Sequence, residues 1–113
     1  MKHVLLALMI VALTGCGGSA PPAHESGVTP VGVSYAGGDG SSIGQAVIIK
    51  GATEQTGVHA EYEWIAQRYP GYRKGRQSLR ESGGKHYDVL EFTTASGEEK
   101  RVYFDITDFY GKF

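Results

Sequence analysis

The chain has 113 residues, with 11 basic and 12 acidic side chains and a formal net charge of −1. This length is enough for one small domain. A near-neutral chain gives no electrostatic case for nucleic-acid binding, which draws on a basic surface. Because Cys16 is the only cysteine, a disulfide within the chain is excluded. The 17 glycines and an aromatic share of 11% predict short strands, tight turns and an aromatic core.

The N-terminus has the anatomy of a secretory signal peptide. Met1–His3 supplies a positive start, and Val4–Leu13 is an uninterrupted apolar run that ends just before Thr14, Gly15 and Cys16. A helix needs about 20 apolar residues to cross a bilayer. The pattern therefore predicts a cleaved signal peptide over residues 1–15 rather than a retained membrane span.

The four residues Leu13-Thr14-Gly15-Cys16 resemble the lipobox of bacterial lipoproteins. The resemblance implies that the Cys16 thiol carries a diacylglyceryl group and that cleavage leaves this cysteine first, with its amine usually acylated too. Two or more acyl chains such as palmitate anchor a protein stably. Gly17 stands where inner-membrane lipoproteins typically carry aspartate, so the resemblance also implies an outer-membrane protein facing the periplasm. The alternative is an ordinary signal peptide cut near Gly17 or later.

The mature chain divides into a tether and a domain. Residues 16–40 are rich in Gly, Ser, Pro and Ala and predict a flexible tether that follows the lipidated N-terminus. Val31, Val33 and Tyr35 alternate briefly and offer an additional edge strand. Residues 41–113 are predicted to form the folded domain, and the mature chain has a formal charge of −2.

The elements of the domain follow from apolar periodicity. Ile43–Lys50 predicts a strand, and Gly57–Tyr69 predicts a helix capped by Thr53 or Thr56. The helix carries an apolar stripe at 100° per residue, formed by Val58, Tyr62, Ile65, Ala66 and Tyr69. Three further strands are predicted at Arg76–Ser82, His86–Thr94 and Lys100–Ile106, followed by an aromatic tail that folds back on the core.

This order predicts an α+β fold, a small two-layer β-α-β-β-β sandwich in which an antiparallel sheet carries one helix on one face. Three short motifs, Gly38–Ser42, Tyr103–Ile106 and Phe109–Phe113, give the mature chain a resemblance to small uncharacterised bacterial envelope proteins. That resemblance implies no functional residue.

The strongest binding candidates are aromatic and basic. Residues 64–80 contain no acidic side chain, and Trp64 lies off the apolar stripe of the helix, one turn from Arg68. Trp64 is either covered by the aromatic tail or exposed as a binding anchor. The predicted site comprises Trp64, Arg68, Arg73, Lys74 and Arg76, with an anionic envelope component or an envelope protein as its partner. The alternative is a solvated helix end followed by a polar edge strand.

No catalytic residue, metal ligand or cofactor is predicted. His59 and Glu63 share a helix face without a third ligand, and Asp39 fits an Asx turn better than a cation or phosphate loop. Asp88 and Asp105 fall in neighbouring predicted strands. The sequence thus favours a membrane-anchored, non-enzymatic binding or structural module. An inhibitor or immunity-type protein against a periplasmic toxin or hydrolase is the alternative, and a small hydrolase is a third class.

Overall fold

The computed structural model describes residues 28–113; the predicted signal peptide, Cys16 and the first part of the tether lie outside them. The helix and the sheet form the predicted α+β fold, which is confirmed. In chain order the elements are strand β1 (Ser34–Gly37), a 3₁₀ helix (Ile43–Gln45), β2 (Val47–Lys50), helix α1 (Glu54–Arg68), β3 (Arg73–Ser82), β4 (Lys85–Thr93) and β5 (Glu99–Asp105).

The five strands form one sheet in the order β1-β2-β5-β4-β3. Neighbours are antiparallel except β2 and β5, which are parallel, with Val47 beside Phe104. Helix α1 acts as a crossover, so β2 and β3 run in the same direction. The meander β3-β4-β5 reverses twice and returns β5 to that direction. The sheet is therefore mixed, whereas an entirely antiparallel sheet was predicted.

Strand β1 lies inside the segment predicted as tether. It pairs antiparallel with β2, and Val33 and Tyr35 pack against the core from this side. The Tyr35 hydroxyl donates a hydrogen bond of 2.8 Å to the Ala60 carbonyl oxygen in the helix. The described sheet thus begins at Ser34. The short apolar alternation of residues 31–35 correctly indicated this edge strand.

The predicted strand Ile43–Lys50 is wrong over its first half, where Ile43–Gln45 forms a 3₁₀ turn. The amides of Gly38 and Gly40 donate to the carbonyl oxygens of Ala46 and Gln45, which folds this loop back on itself. Gly40 has φ +82°, and a Cβ there would lie 2.5 Å from Val102 Cγ1 of β5. Glycine is required because the loop approaches the sheet so closely.

Helix α1 begins at Glu54, three residues before the predicted start. Thr53 caps it: the Thr56 amide donates to Thr53 Oγ1 at 3.3 Å, and the Thr53 amide donates to Thr56 Oγ1 at 2.9 Å. This reciprocal pair is a capping box that satisfies two backbone donors at the helix start. Within residues 28–113, no helix has both the length and the apolar character needed to cross a membrane.

The buried face of α1 is rotated from the predicted stripe. Ile65 belongs to both the predicted stripe and the observed buried face. The other buried side chains of the helix include Ala60, Glu61 and Trp64, which are not in the stripe. Tyr62 and Tyr69 are only half-buried at the rim, where their hydroxyls can meet water. Trp64 is 5% exposed and meets the Phe104 ring edge-on at 5.6 Å between centroids.

The sheet has a helix-covered face and an opposite side, called here the open face. Val102, Phe104 and Ile106 are buried under α1, while Arg101 and Tyr103 alternate onto the open face, as predicted. Beyond β5, Phe109 is completely buried, whereas the terminal Phe113 is 97% exposed. Only part of the predicted aromatic tail therefore joins the core.

Candidate interaction surface

The predicted binding residues do not form one patch, because they lie on different sides of the sheet. Trp64 is a core residue, so of the two alternatives it is the covered one and not an exposed anchor. The Arg68 guanidinium lies 4.0 Å from the Trp64 ring centroid and covers it from solvent. Lys74 Nζ lies 4.4 Å from the Tyr62 ring. Arg68 and Lys74 therefore belong to the helix side.

Arg73 and Arg76 lie on the open face instead. Arg73 pairs with Thr93 of β4, and the irregularity between Lys74 and Gln77 carries Arg76 onto the same side. There Arg76 Nε lies 3.7 Å from Glu91 Oε1. Arg76 is 78% exposed, so this ion pair stabilises the fold only weakly. Arg73 is exposed as well, so both guanidinium groups are accessible to a partner.

Two further arginines meet around Tyr103 at the centre of the open face. Arg101 Nη2 lies 3.5 Å from Glu91 Oε2. Hydrogen bonding with Arg101, followed by the charges of Arg101 and Arg80, lowers the pKa of Tyr103. The same contacts with Tyr103 raise the pKa of Arg101. Tyr103 and its flanking arginines were not predicted as a site. The alternation of β5 predicts that Arg101 and Tyr103 share one face. That Arg80 of β3 lies near them depends on the strand register, which the sequence does not give.

Two adjoining open grooves run from this surface around the start of β5. The first is about 530 Å³ and includes Arg76, Arg101 and Tyr103 in its lining. The second is about 450 Å³ and reaches Arg68 on the helix side. Ser41, Glu99, Lys100 and Arg101 line both grooves. Arg101 thus connects the open face with the helix side.

The open face concentrates positive charge. By strand register its basic residues are Lys50, Arg73, Arg76, Arg80, Lys85 and Arg101, and its acidic residues are Glu91, Glu99 and Asp105. The rest of residues 28–113 holds four basic and eight acidic side chains. A chain that is close to neutral overall therefore presents one distinctly basic surface.

The groups considered for catalysis or metal binding are separated. His59 is exposed, whereas Glu63 is buried and accepts a hydrogen bond of 2.9 Å from the Val28 amide. Asp88 faces the helix, while Asp105 points to the open face and lies 3.9 Å from Lys85 Nζ. Asp39 Oδ1 accepts from the Ser41 amide and hydroxyl, as in an Asx turn. Residues 28–113 contain no cluster of three metal-ligating side chains.

One buried acid was not anticipated. Glu61 is completely buried, and neither of its carboxyl oxygens has a hydrogen-bond partner of normal geometry within the described residues. Burial first, and then the neighbouring Asp88, raise the pKa of Glu61 to about 11. The group is therefore a neutral acid at physiological pH and belongs to the core.

Comparison of the chain with protein-family models, with curated proteins and with solved structures finds no match.

Proposed function

We propose that this protein is a non-enzymatic lipoprotein of the cell envelope, anchored in the outer membrane through acyl chains on Cys16 and facing the periplasm. Its domain binds or supports another envelope component through the open face. The observation that carries the binding role is the excess of basic over acidic side chains on that face. The anchoring role rests on the lipobox resemblance of Leu13–Cys16.

The edge of the sheet supports binding through the face rather than by strand addition. All ten residues of β3 are exposed, so its outer edge is accessible. The strand carries four basic side chains and an irregular register, which are common devices against edge-to-edge pairing. A partner is therefore expected to cover the arginines on the face without extending the sheet.

The separation of the candidate catalytic residues supports a non-enzymatic role. Acid–base catalysis needs groups that converge on one reacting atom. Asp88 and Asp105 lie on opposite sides of the sheet, and His59 is exposed while Glu63 is occupied by the Val28 amide. A binding module requires only the basic surface, so it is the simpler account of these residues.

The anchoring proposal is tested by substituting the lipidated residue. Cells producing the wild-type chain, Cys16→Ala or the control Ser19→Ala are labelled with radioactive palmitate and then fractionated. We expect label and membrane association for the wild type and Ser19→Ala, and neither for Cys16→Ala, because acylation requires the thiol. A Cys16→Ala chain that is still labelled and membrane-bound would refute the proposal.

A further inference from the structure

We propose that the open face docks on the headgroups of anionic phospholipids at the membrane surface. This docking deepens the proposed function and rests on it, because a lipid anchor on Cys16 would keep the domain close to a bilayer. Docking would then orient the domain, with the sheet toward the lipid and the helix away from it.

Charge complementarity is the first argument. The open face has six basic and three acidic side chains, while the remainder of the described chain is acidic. Each basic side chain near an anionic bilayer raises the affinity by about fivefold at low ionic strength. The charge distribution therefore favours one orientation of the domain, because its other surfaces would be repelled.

The chemistry of the face suits phosphate groups. Arg76, Arg80 and Arg101 are exposed and gather around Glu91 and Tyr103. A guanidinium group can bind phosphate oxygens through two parallel hydrogen bonds. The groove of about 530 Å³ beside Arg76 and Arg101 leaves the approach to these groups open. Several headgroups can thus contact the face together.

The apolar residues favour a lipid surface over a protein partner. Protein interfaces draw most of their affinity from a few anchors, most often Trp, Tyr or Arg, seated in well-packed pockets near their centre. Within the described residues, the exposed large hydrophobic side chains are Val28, Val31, Leu79, Tyr110 and Phe113. Leu79 pairs with Asp88 on the helix side, Tyr110 stacks on His86 of the same side, and the other three lie outside the strands. On the open face, Tyr87 and Val89 are buried, and Ile48 and Tyr103 are half-buried. The fully exposed side chains of the face are therefore mainly charged.

The length of the predicted tether allows this orientation. The Val28 amide is held by Glu63 of the helix, so the chain enters the domain on the side away from the open face. The twelve steps from Cys16 to Val28 span at most about 40 Å. A helix packed on a sheet is about 20 Å thick. The anchor can therefore reach the membrane while the open face contacts it.

Vesicle binding tests the docking separately from the anchor. The mature chain, residues 16–113 with Cys16→Ala, contains every described strand and has no acyl chain. Its partitioning is measured by sedimentation with vesicles of phosphatidylcholine alone and of equal parts phosphatidylcholine and phosphatidylglycerol, at low and at physiological salt. We expect binding only to the anionic vesicles, with weaker binding at the higher salt.

Two matched triple variants locate the binding surface. Arg76→Gln/Arg80→Gln/Arg101→Gln removes three charges from the open face, and we expect its affinity to fall at least about tenfold. Arg68→Gln/Lys74→Gln/Lys112→Gln removes three charges elsewhere, and a change below about twofold is expected. Circular dichroism and a thermal melt verify that both variants are folded.

Three results would overturn the inference: equal binding to both vesicles, equal losses in the two triple variants, or binding to lipid A micelles without binding to phosphatidylglycerol. None of them affects the anchoring proposal, because residue 16 is alanine throughout this experiment. Conversely, a failed palmitate labelling would leave the vesicle measurement unchanged. The two proposals can therefore fail independently.

Discussion

At the scale of single residues, Glu61 makes folding depend on pH. Its pKa is raised to about 11 by burial and by Asp88 and Glu54, whereas the usual value is 4.5. Above that usual value the unfolded chain loses the proton while the folded chain keeps it. The folded state thus binds more protons, and the free energy of unfolding falls as pH rises from 4.5 towards 11. Glu61 contributes its full stability only at acidic pH.

The substitution Glu61→Gln should flatten this dependence, because an amide of similar size cannot ionise. We expect the free energy of unfolding of the wild type to fall by at least about 1 kcal/mol between mildly acidic and mildly alkaline pH, and that of Glu61→Gln to change much less. Urea unfolding at several pH values measures the slopes. The exposed Glu98→Gln serves as the control and should retain the wild-type slope. Equal slopes for Glu61→Gln and the wild type would contradict the neutral buried acid.

Residue-level patterns predicted the faces of β5 correctly and the face of the helix only in part. Strand alternation is a local property, so Val102 and Phe104 could be placed in the core from the sequence. The rotation of a helix depends on its tertiary partner. Trp64 is buried because Phe104 lies beneath it, and a helical wheel contains no information about that ring. For the same reason, Trp64→Ala would test the core rather than binding.

At the scale of elements, the helix and the chain after β5 are packed together at Gly57. The Phe109 ring lies directly against this glycine and is completely buried. Two hydrogen bonds of 2.7 Å connect the start of the helix with the C-terminal segment. The Glu54 amide donates to the Lys112 carbonyl oxygen, and the Gly111 amide donates to Glu54 Oε2. The start of α1 is therefore tied to the C-terminal segment.

The substitution Gly57→Ala should destabilise the domain, although alanine is normally the better helix residue by about 1 kcal/mol. A Cβ at position 57 would collide with the ring carbons of Phe109, and overpacking of a core costs about 1–3 kcal/mol. We expect a net loss of about 1 kcal/mol in chemical unfolding, with no loss for the exposed Gln67→Ala. The double variant Gly57→Ala/Phe109→Leu should recover part of it. A Gly57→Ala chain more stable than the wild type would show that the contact is loose.

The sequence predicted that these elements exist better than it predicted their pairing. Helix α1 and strands β3 to β5 were located to within three residues at each boundary, because their periodicity and turns are local. The parallel pairing of β2 with β5 joins residues more than 50 positions apart, for example Val47 and Phe104. No local pattern specifies such a partner. The site around Tyr103 was missed for the same reason.

At the scale of the whole molecule, the separation of charge follows from the meander. The charged residues of β3 to β5 are interleaved in the sequence, so composition gives only a near-neutral sum. The pleat then sends Arg80 and Arg101 to one side while Asp88 goes to the other. A basic surface emerges from a weakly acidic chain. This is the property on which the proposed docking depends.

The folding unit of the whole molecule is expected to include residues 28–40 as well as the predicted domain. A chain of residues 28–113 should be as stable as residues 16–113, whereas a chain of residues 41–113, the predicted domain, should be less stable. The shorter chain loses β1, the bond from Tyr35 to Ala60 and that from the Tyr103 amide to Gly40. We expect a loss of at least about 2 kcal/mol in urea unfolding. The uncovered edge of β2 should also promote aggregation. Equal stability of all three chains would mean that β1 adds nothing to the folding unit, which would then begin at Ser41.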